Sequence, residues 1–188
     1  YADDNNGWMV PAFTEPAQWD SGTAWTWRFS IQSYVRDRKI WVCPANPERS
    51  GKTWGVPQMV GGKDDIASSY GIKMAVAGNN STIWKWGCRK VSKFTRPAGT
   101  ILLIGCDNGM MYPHWTMLTK QDNYLKLFFP TWHNNRIVLT FLDGHSKVMY
   151  LKDTLSTDPN QFMWDEISPT DSATIAAVNK LIRAWPRD

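Results

Sequence analysis

The clearest pattern of apolar and polar positions lies at 136–151, which reads Arg-Ile-Val-Leu-Thr-Phe-Leu, Asp143-Gly144, then His-Ser-Lys-Val-Met-Tyr-Leu. Two β-prone runs around an Asp-Gly pair predict a hairpin, with Asp143 and Gly144 as the two positive-φ residues of a type I′ turn. Ile137, Leu139 and Phe141 share one face of the first strand, and Val138, Thr140 and Leu142 the other, so both faces are expected to be covered. The run 99–106 is apolar throughout and predicts a central strand. Shorter strands are predicted at 39–43, stopped by Pro44, and around 69–76 and 82–86. Helical spacing appears twice. Trp27, Ile31, Tyr34 and Val35 fall at i, i+4, i+7 and i+8 within 22–35. Ile175, Val178, Leu181, Ile182 and Trp185 mark a helix over 171–184, capped by Thr170 or Asp171 and closed by Pro186. The opening at 1–8 reads as the end of a helix, with Asn5, Asn6 and Gly7 supplying a left-handed cap. The order of elements predicts an α+β fold in a single domain over 1–188. It carries a loop-rich insertion at 44–65 and a C-terminal extension with a helix at 152–188.

Composition narrows this. The chain has 188 residues, 12 of them tryptophan, while Leu, Ile, Val and Phe together supply 38. So low an aliphatic content borders on that of disordered chains, but the aromatic surplus and a net charge of only +4 allow a packed core. No run of about 18 apolar residues is present, so no segment of this sequence reads as a membrane span. There is no repeat and no heptad pattern. Basic residues are interspersed with acidic ones, which favours a solvated surface over a nucleic-acid interface, and no nucleic-acid partner is expected. Cys43, Cys88 and Cys106 lack the spacing of a zinc site. Cys106 belongs to an apolar run and reads as a buried thiol, whereas Cys43 and Cys88 are candidates for a disulfide in an oxidising compartment.

The segment Trp132-His-Asn-Asn-Arg-Ile-Val-Leu-Thr-Phe-Leu-Asp-Gly-His145 resembles the signature of prepilin-type proteins with His, nine residues, then Asp-Gly. His133, Asp143 and Gly144 are the matching residues. Val42-Cys43-Pro44, Ser69-Tyr70-Gly71 and the 100–104 run ending near Asp107 follow in the family's order, and the opening 1–7 resembles the stretch where the long pilin helix ends. Lys73 stands where the family commonly has Asn, and Trp132 where it often has Arg. The resemblance implies a pilin-like headpiece, an antiparallel sheet packed on helices, cut from its long N-terminal helix. It implies a non-enzymatic assembly subunit, similar to type IV pilins or to type II secretion pseudopilins of the general secretion pathway. Its partners would be other pilin-like subunits and the pilus or secretion apparatus. It would sit in the cell envelope, anchored in the inner membrane by the missing helix, with the headpiece periplasmic or extracellular. The precursor is then expected to carry a basic leader and an apolar helix of about 20 residues upstream of Tyr1.

The candidate chemistry follows from placement. His133 and Asp143 flank a strand of about seven residues, roughly 23 Å at ~3.3 Å each, so they are expected to act as structural residues at opposite ends. No catalytic residue is assigned. Asp107 ends the 99–106 strand, and if that strand runs antiparallel beside 136–142 it meets His133. The pair forms either a His–Asp hydrogen bond or, with Asn108, a cation site suited to calcium. Beyond calcium no cofactor is implied. Asp3-Asp4-Asn5-Asn6-Gly7 has calcium-loop residue types but lacks the Glu at the twelfth position. The alternative function is a secreted carbohydrate-binding module, in which Trp8, Trp54, Trp84, Trp86, Trp115 and Trp132 would stack on sugar rings. Against it stands the reading that most tryptophans fill a core short of Leu and Val. A metal-dependent hydrolase at His145 and Asp143 is the weaker alternative, because no nucleophile motif or zinc-protease motif accompanies them.

Overall fold

The computed structural model describes residues 1–14, 25–46, 69–73, 89–105, 133–156, 158, 161–164, 175, 176, 179, 180 and 183. In chain order the strands are β1 (Phe13–Thr14), β2 (Trp25–Thr26), β3 (Tyr70–Ile72), β4 (Ile101–Gly105), β5 (Arg136–Phe141) and β6 (Ser146–Tyr150). A single helical turn, α1 (Trp27–Ser30), follows β2 directly. Strands β1 and β2 form a small antiparallel pair, and β3-β4-β5-β6 form one antiparallel sheet in that order. No helix of seven or more residues occurs among the described residues.

Strands β4 and β5 are the inner pair, in line with the apolar run of β4 and the apolar residues on both faces of β5. Ile104 lies opposite Leu139 and Ile101 opposite Phe141, with the register shifting between Ile101 and Leu103. That irregularity matters for burial. Strict alternation would send residues 101 and 104 to opposite faces, yet both are fully buried. With Ile137, Leu139 and Phe141 they make a sealed face. The opposite face is closed less completely, because Val138 and Thr140 are only half-buried. Part of it is covered by Val10, Ala12, Trp27 and Trp41, which pack with Ile72 and the flanks of Leu102 and Leu103. Trp27 and Trp41 meet edge to face at 5.2 Å, the preferred arrangement for paired rings.

The chain beyond β6 belongs to this core. Leu151–Thr154 form a 3-10 turn, and Leu151, Thr154, Leu155, Phe162 and Trp164 are buried. The Met163 carbonyl accepts from the Ile101 N–H at 3.1 Å, and the Met163 N–H donates to the Thr154 carbonyl at 3.2 Å. The Trp164 indole donates to Thr154 Oγ1 at 2.9 Å, so the ring is buried with its polar edge satisfied. Residues 152–156 and 161–164, assigned to an extension by the sequence pattern, therefore close one end of β4. At 175, 176, 179, 180 and 183 the backbone is helical, within the span expected for the last helix.

Two expected elements take other forms. The helix expected over 22–35 is replaced at its start by β2, whose Thr14–Trp25 and Phe13–Thr26 pairings take those residues out of helical conformation. Helical bonding begins only at Trp27, with Ile31 N–H donating to the Trp27 carbonyl at 3.1 Å. The apolar stripe still points inward at Trp27, Ile31 and Val35, while Tyr34 stays exposed. At 38–41 a 3-10 turn stands where the strand over 39–43 is expected, because Asp37 Oδ1 accepts from the Lys39 N–H at 2.9 Å and caps the turn. The left-handed cap near the start is present. The Gly7 N–H reaches back to the Ala2 carbonyl at 2.7 Å across Asn6 at φ 53°, the six-to-one closure of a Schellman motif. The strand over 82–86 and most of the 44–65 insertion lie outside the described residues.

Candidate functional site

His133 precedes β5 and opens a tight turn. Asn134 and Asn135 take φ of 54° and 61°, and the Arg136 N–H donates to the His133 carbonyl at 3.1 Å. Two successive positive-φ residues are the backbone of a type I′ turn, and Asn tolerates this better than most residues with a side chain. The turn brings the His133 ring onto the 41–46 segment, where Nε2 lies 3.2 Å from Cys43 Sγ. That segment is itself fixed. The Ser69 N–H donates to the Trp41 carbonyl at 2.8 Å, the Asn46 N–H to the Cys43 carbonyl at 2.9 Å, and Asn46 Nδ2 to Ser69 Oγ at 3.2 Å.

Tyr70, the first residue of β3, completes the cluster. Its phenol is pushed up by burial first, then by charge on the neighbouring Cys43 and by their side-chain hydrogen bond. Cys43 is a free thiol and only 4% exposed. A cavity of about 10 Å³ sits among Cys43, Tyr70, Gly105, His133 and Arg136, room for about one water molecule. One end of the sheet thus holds a thiol contacted by an imidazole and a phenol. Of these, the sequence pattern placed His133 in the family signature and Cys43 in a disulfide pair. Tyr70 entered only as part of Ser-Tyr-Gly. No local spacing signals a contact between residues 90 positions apart such as Cys43 and His133.

Asp143 and Gly144 lie at the other end of β5, separated from His133 by the full strand. The hairpin closes with the Phe141 N–H donating to the His145 carbonyl and the Gly144 N–H to the Phe141 carbonyl, both at 2.9 Å. Gly144 has φ 92° and Asp143 has no positive φ, so the loop is not the expected type I′. It is a three-residue loop, Leu142 to Gly144, ended by a left-handed glycine. The extra residue is Leu142, which is buried with Met9 and Phe94 and whose N–H donates to the Thr100 carbonyl at 2.9 Å, so it stays with β4 and leaves the pairing with β6. Asp143 Oδ1 accepts from His145 Nδ1 at 2.6 Å and from the His145 N–H at 3.2 Å. The His145 ring stacks on Phe141 at 4.3 Å, with 4° between the planes. Asp143 and His145 form an exposed hydrogen-bonded pair on a hairpin tip.

The other candidates divide simply. Asp107, Asn108, Cys88, Trp54, Trp84, Trp86, Trp115 and Trp132 lie outside the described residues. Strand β4 does run antiparallel beside β5, the arrangement the Asp107–His133 contact requires. Trp8 is 43% exposed, with Lys90 Nζ 5.3 Å from its ring centroid. Trp27, Trp41 and Trp164 are core residues. In the 3–7 segment, Asp4 Oδ2 accepts from the Tyr34 hydroxyl at 2.7 Å and Asn6-Gly7 form the helix cap. Among the described residues no group of three or more His, Cys, Asp or Glu side chains is placed to hold a metal ion. No helix among them is long and apolar enough to cross a membrane. The chain matches no family model, no curated protein and no solved structure.

Proposed function

We propose that the chain is the headpiece of a pilin-like or pseudopilin-like subunit, an assembly protein of the cell envelope rather than an enzyme. The observation that carries this reading is the meeting of motif segments far apart in sequence. At one end of an antiparallel sheet, Cys43 of Val-Cys-Pro is contacted both by Tyr70 of Ser-Tyr-Gly and by His133 of the His-(nine residues)-Asp-Gly signature. Motif segments that recur in a family's order are expected to serve one packing arrangement, and a contact between three of them supports the reading, while Asp143 and Gly144 serve the hairpin at the far end of β5. The helix cap at Ala2–Gly7 gives further support, since Tyr1 packs against the cluster of Val10, Trp27 and Trp41. A helix arriving there would be joined rigidly to the headpiece. In this role the upstream helix anchors the subunit and supplies filament contacts, and the headpiece surface selects neighbours.

The test is the reading frame and its processing. The full gene product is expected to carry a short basic leader, then about 20 apolar residues beginning near a Phe with Glu at the fifth mature position. Co-expression with a prepilin peptidase is expected to shorten it by the leader alone and leave it in the membrane fraction. An ordinary cleaved signal peptide with no retained apolar helix overturns the proposal.

A further inference from the structure

We propose that Cys43 is a modification site for hydrogen peroxide, a thiol that His133 activates and that its burial restricts to small oxidants. Three features converge on the sulfur. His133 Nε2, at 3.2 Å, is within reach of the thiol proton. The Tyr70 side chain on β3 is hydrogen-bonded to Cys43, a donor that stabilises a thiolate once formed. Finally, a cavity of about 10 Å³, about the size of one water molecule, lies beside the sulfur and gives only a small oxidant a place to approach. Burial of Cys43 to 4% exposure closes the site to bulky thiols and arylating reagents.

The step balances without further partners. Cys43 gives its proton to His133 Nε2, and the thiolate attacks one peroxide oxygen. The S–O bond forms as the O–O bond breaks, so sulfur loses two electrons and the peroxide is reduced. The departing hydroxide takes the proton from the imidazolium and leaves as water, and Cys43 becomes a sulfenic acid. The inference stands on the cluster alone and holds whichever role the headpiece has.

The experiment treats the reduced chain with hydrogen peroxide and follows Cys43 by peptide-resolved mass spectrometry, folded and in denaturant. The folded chain is expected to gain oxygen at Cys43 at least about tenfold faster than the unfolded chain, because only the folded one places His133 at the sulfur. A disulfide from Cys43 to Cys88 or Cys106 forming at that same rate counts equally, since it consumes the sulfenic acid. A bulky aromatic disulfide reagent is expected to show the reverse order, reacting only after unfolding. His133→Gln is expected to bring the folded rate down to the unfolded one, with Tyr70→Phe intermediate. Equal or slower oxidation of Cys43 in the folded wild-type chain overturns the proposal without recourse to any variant. So does a folded His133→Gln chain that oxidises as fast as wild type.

Discussion

The smallest unit of order on this surface is the pair Asp143 and His145. The imidazole is held flat against Phe141 and offers Nδ1 to Asp143 Oδ1 at 2.6 Å. That side-chain hydrogen bond is the main reason the Asp143 carboxyl lies below its ordinary value, with the His145 backbone N–H and charge acting in the same direction and slight burial opposing them. A depressed carboxylate stabilises the fold above the carboxyl's unfolded pKa, and the contribution disappears as pH falls through the folded value. Replacing His145 by Ala is expected to return the Asp143 titration towards 3.8, read by NMR of the carboxyl carbon, and to flatten the acid limb of the stability curve. An unmoved titration would show that the carboxyl answers to another group.

At the scale of elements, the hairpin shows what a local pattern can and cannot fix. Turn residues between two β-prone runs place the hairpin correctly, because the φ requirement is a property of consecutive residues. The number of loop residues is set instead by Leu142, which is buried beside Met9 and Phe94. Gly144 then carries the left-handed backbone alone, at φ 92°, with open space around the position of a Cβ. Gly144→Ala is therefore expected to cost about 1–2 kcal/mol through backbone strain rather than collision, measured by urea denaturation. The 22–35 and 39–43 segments follow the same logic. Apolar spacing foretold the inward side chains Trp27, Ile31 and Val35 but not the exposure of Tyr34. Backbone conformation there was decided by the β1–β2 pairing and by the Asp37 cap.

At the scale of the whole molecule, large aromatic rings stand in for scarce aliphatic residues. Trp27 is 1% exposed and joins the first 12 residues to Trp41 and to the sheet through Ile72, Leu102 and Leu103. Trp27→Ala is expected to destabilise the chain by about 3–5 kcal/mol in denaturant titration, by loss of buried area and creation of a cavity. Trp27→Phe is expected to cost much less. Among the described residues the indole N–H has no acceptor, so removing it also removes an uncompensated buried donor. Similar losses for Phe and Ala would mean that the indole shape, and not apolar filling, holds the segment. By itself the sequence determined the inner strand pair, the place of the hairpin, the left-handed cap at Asn6-Gly7 and the inward turn of Trp27, Ile31 and Val35, all written in the periodicity and turn chemistry of neighbouring residues. Only the tertiary structure decided that residues 152–156 and 161–164 close the core, that Ile101 and Ile104 share a face, and that His133 and Tyr70 both meet Cys43. Those outcomes depend on strand register and on long-range packing, which bring together residues that share no local spacing.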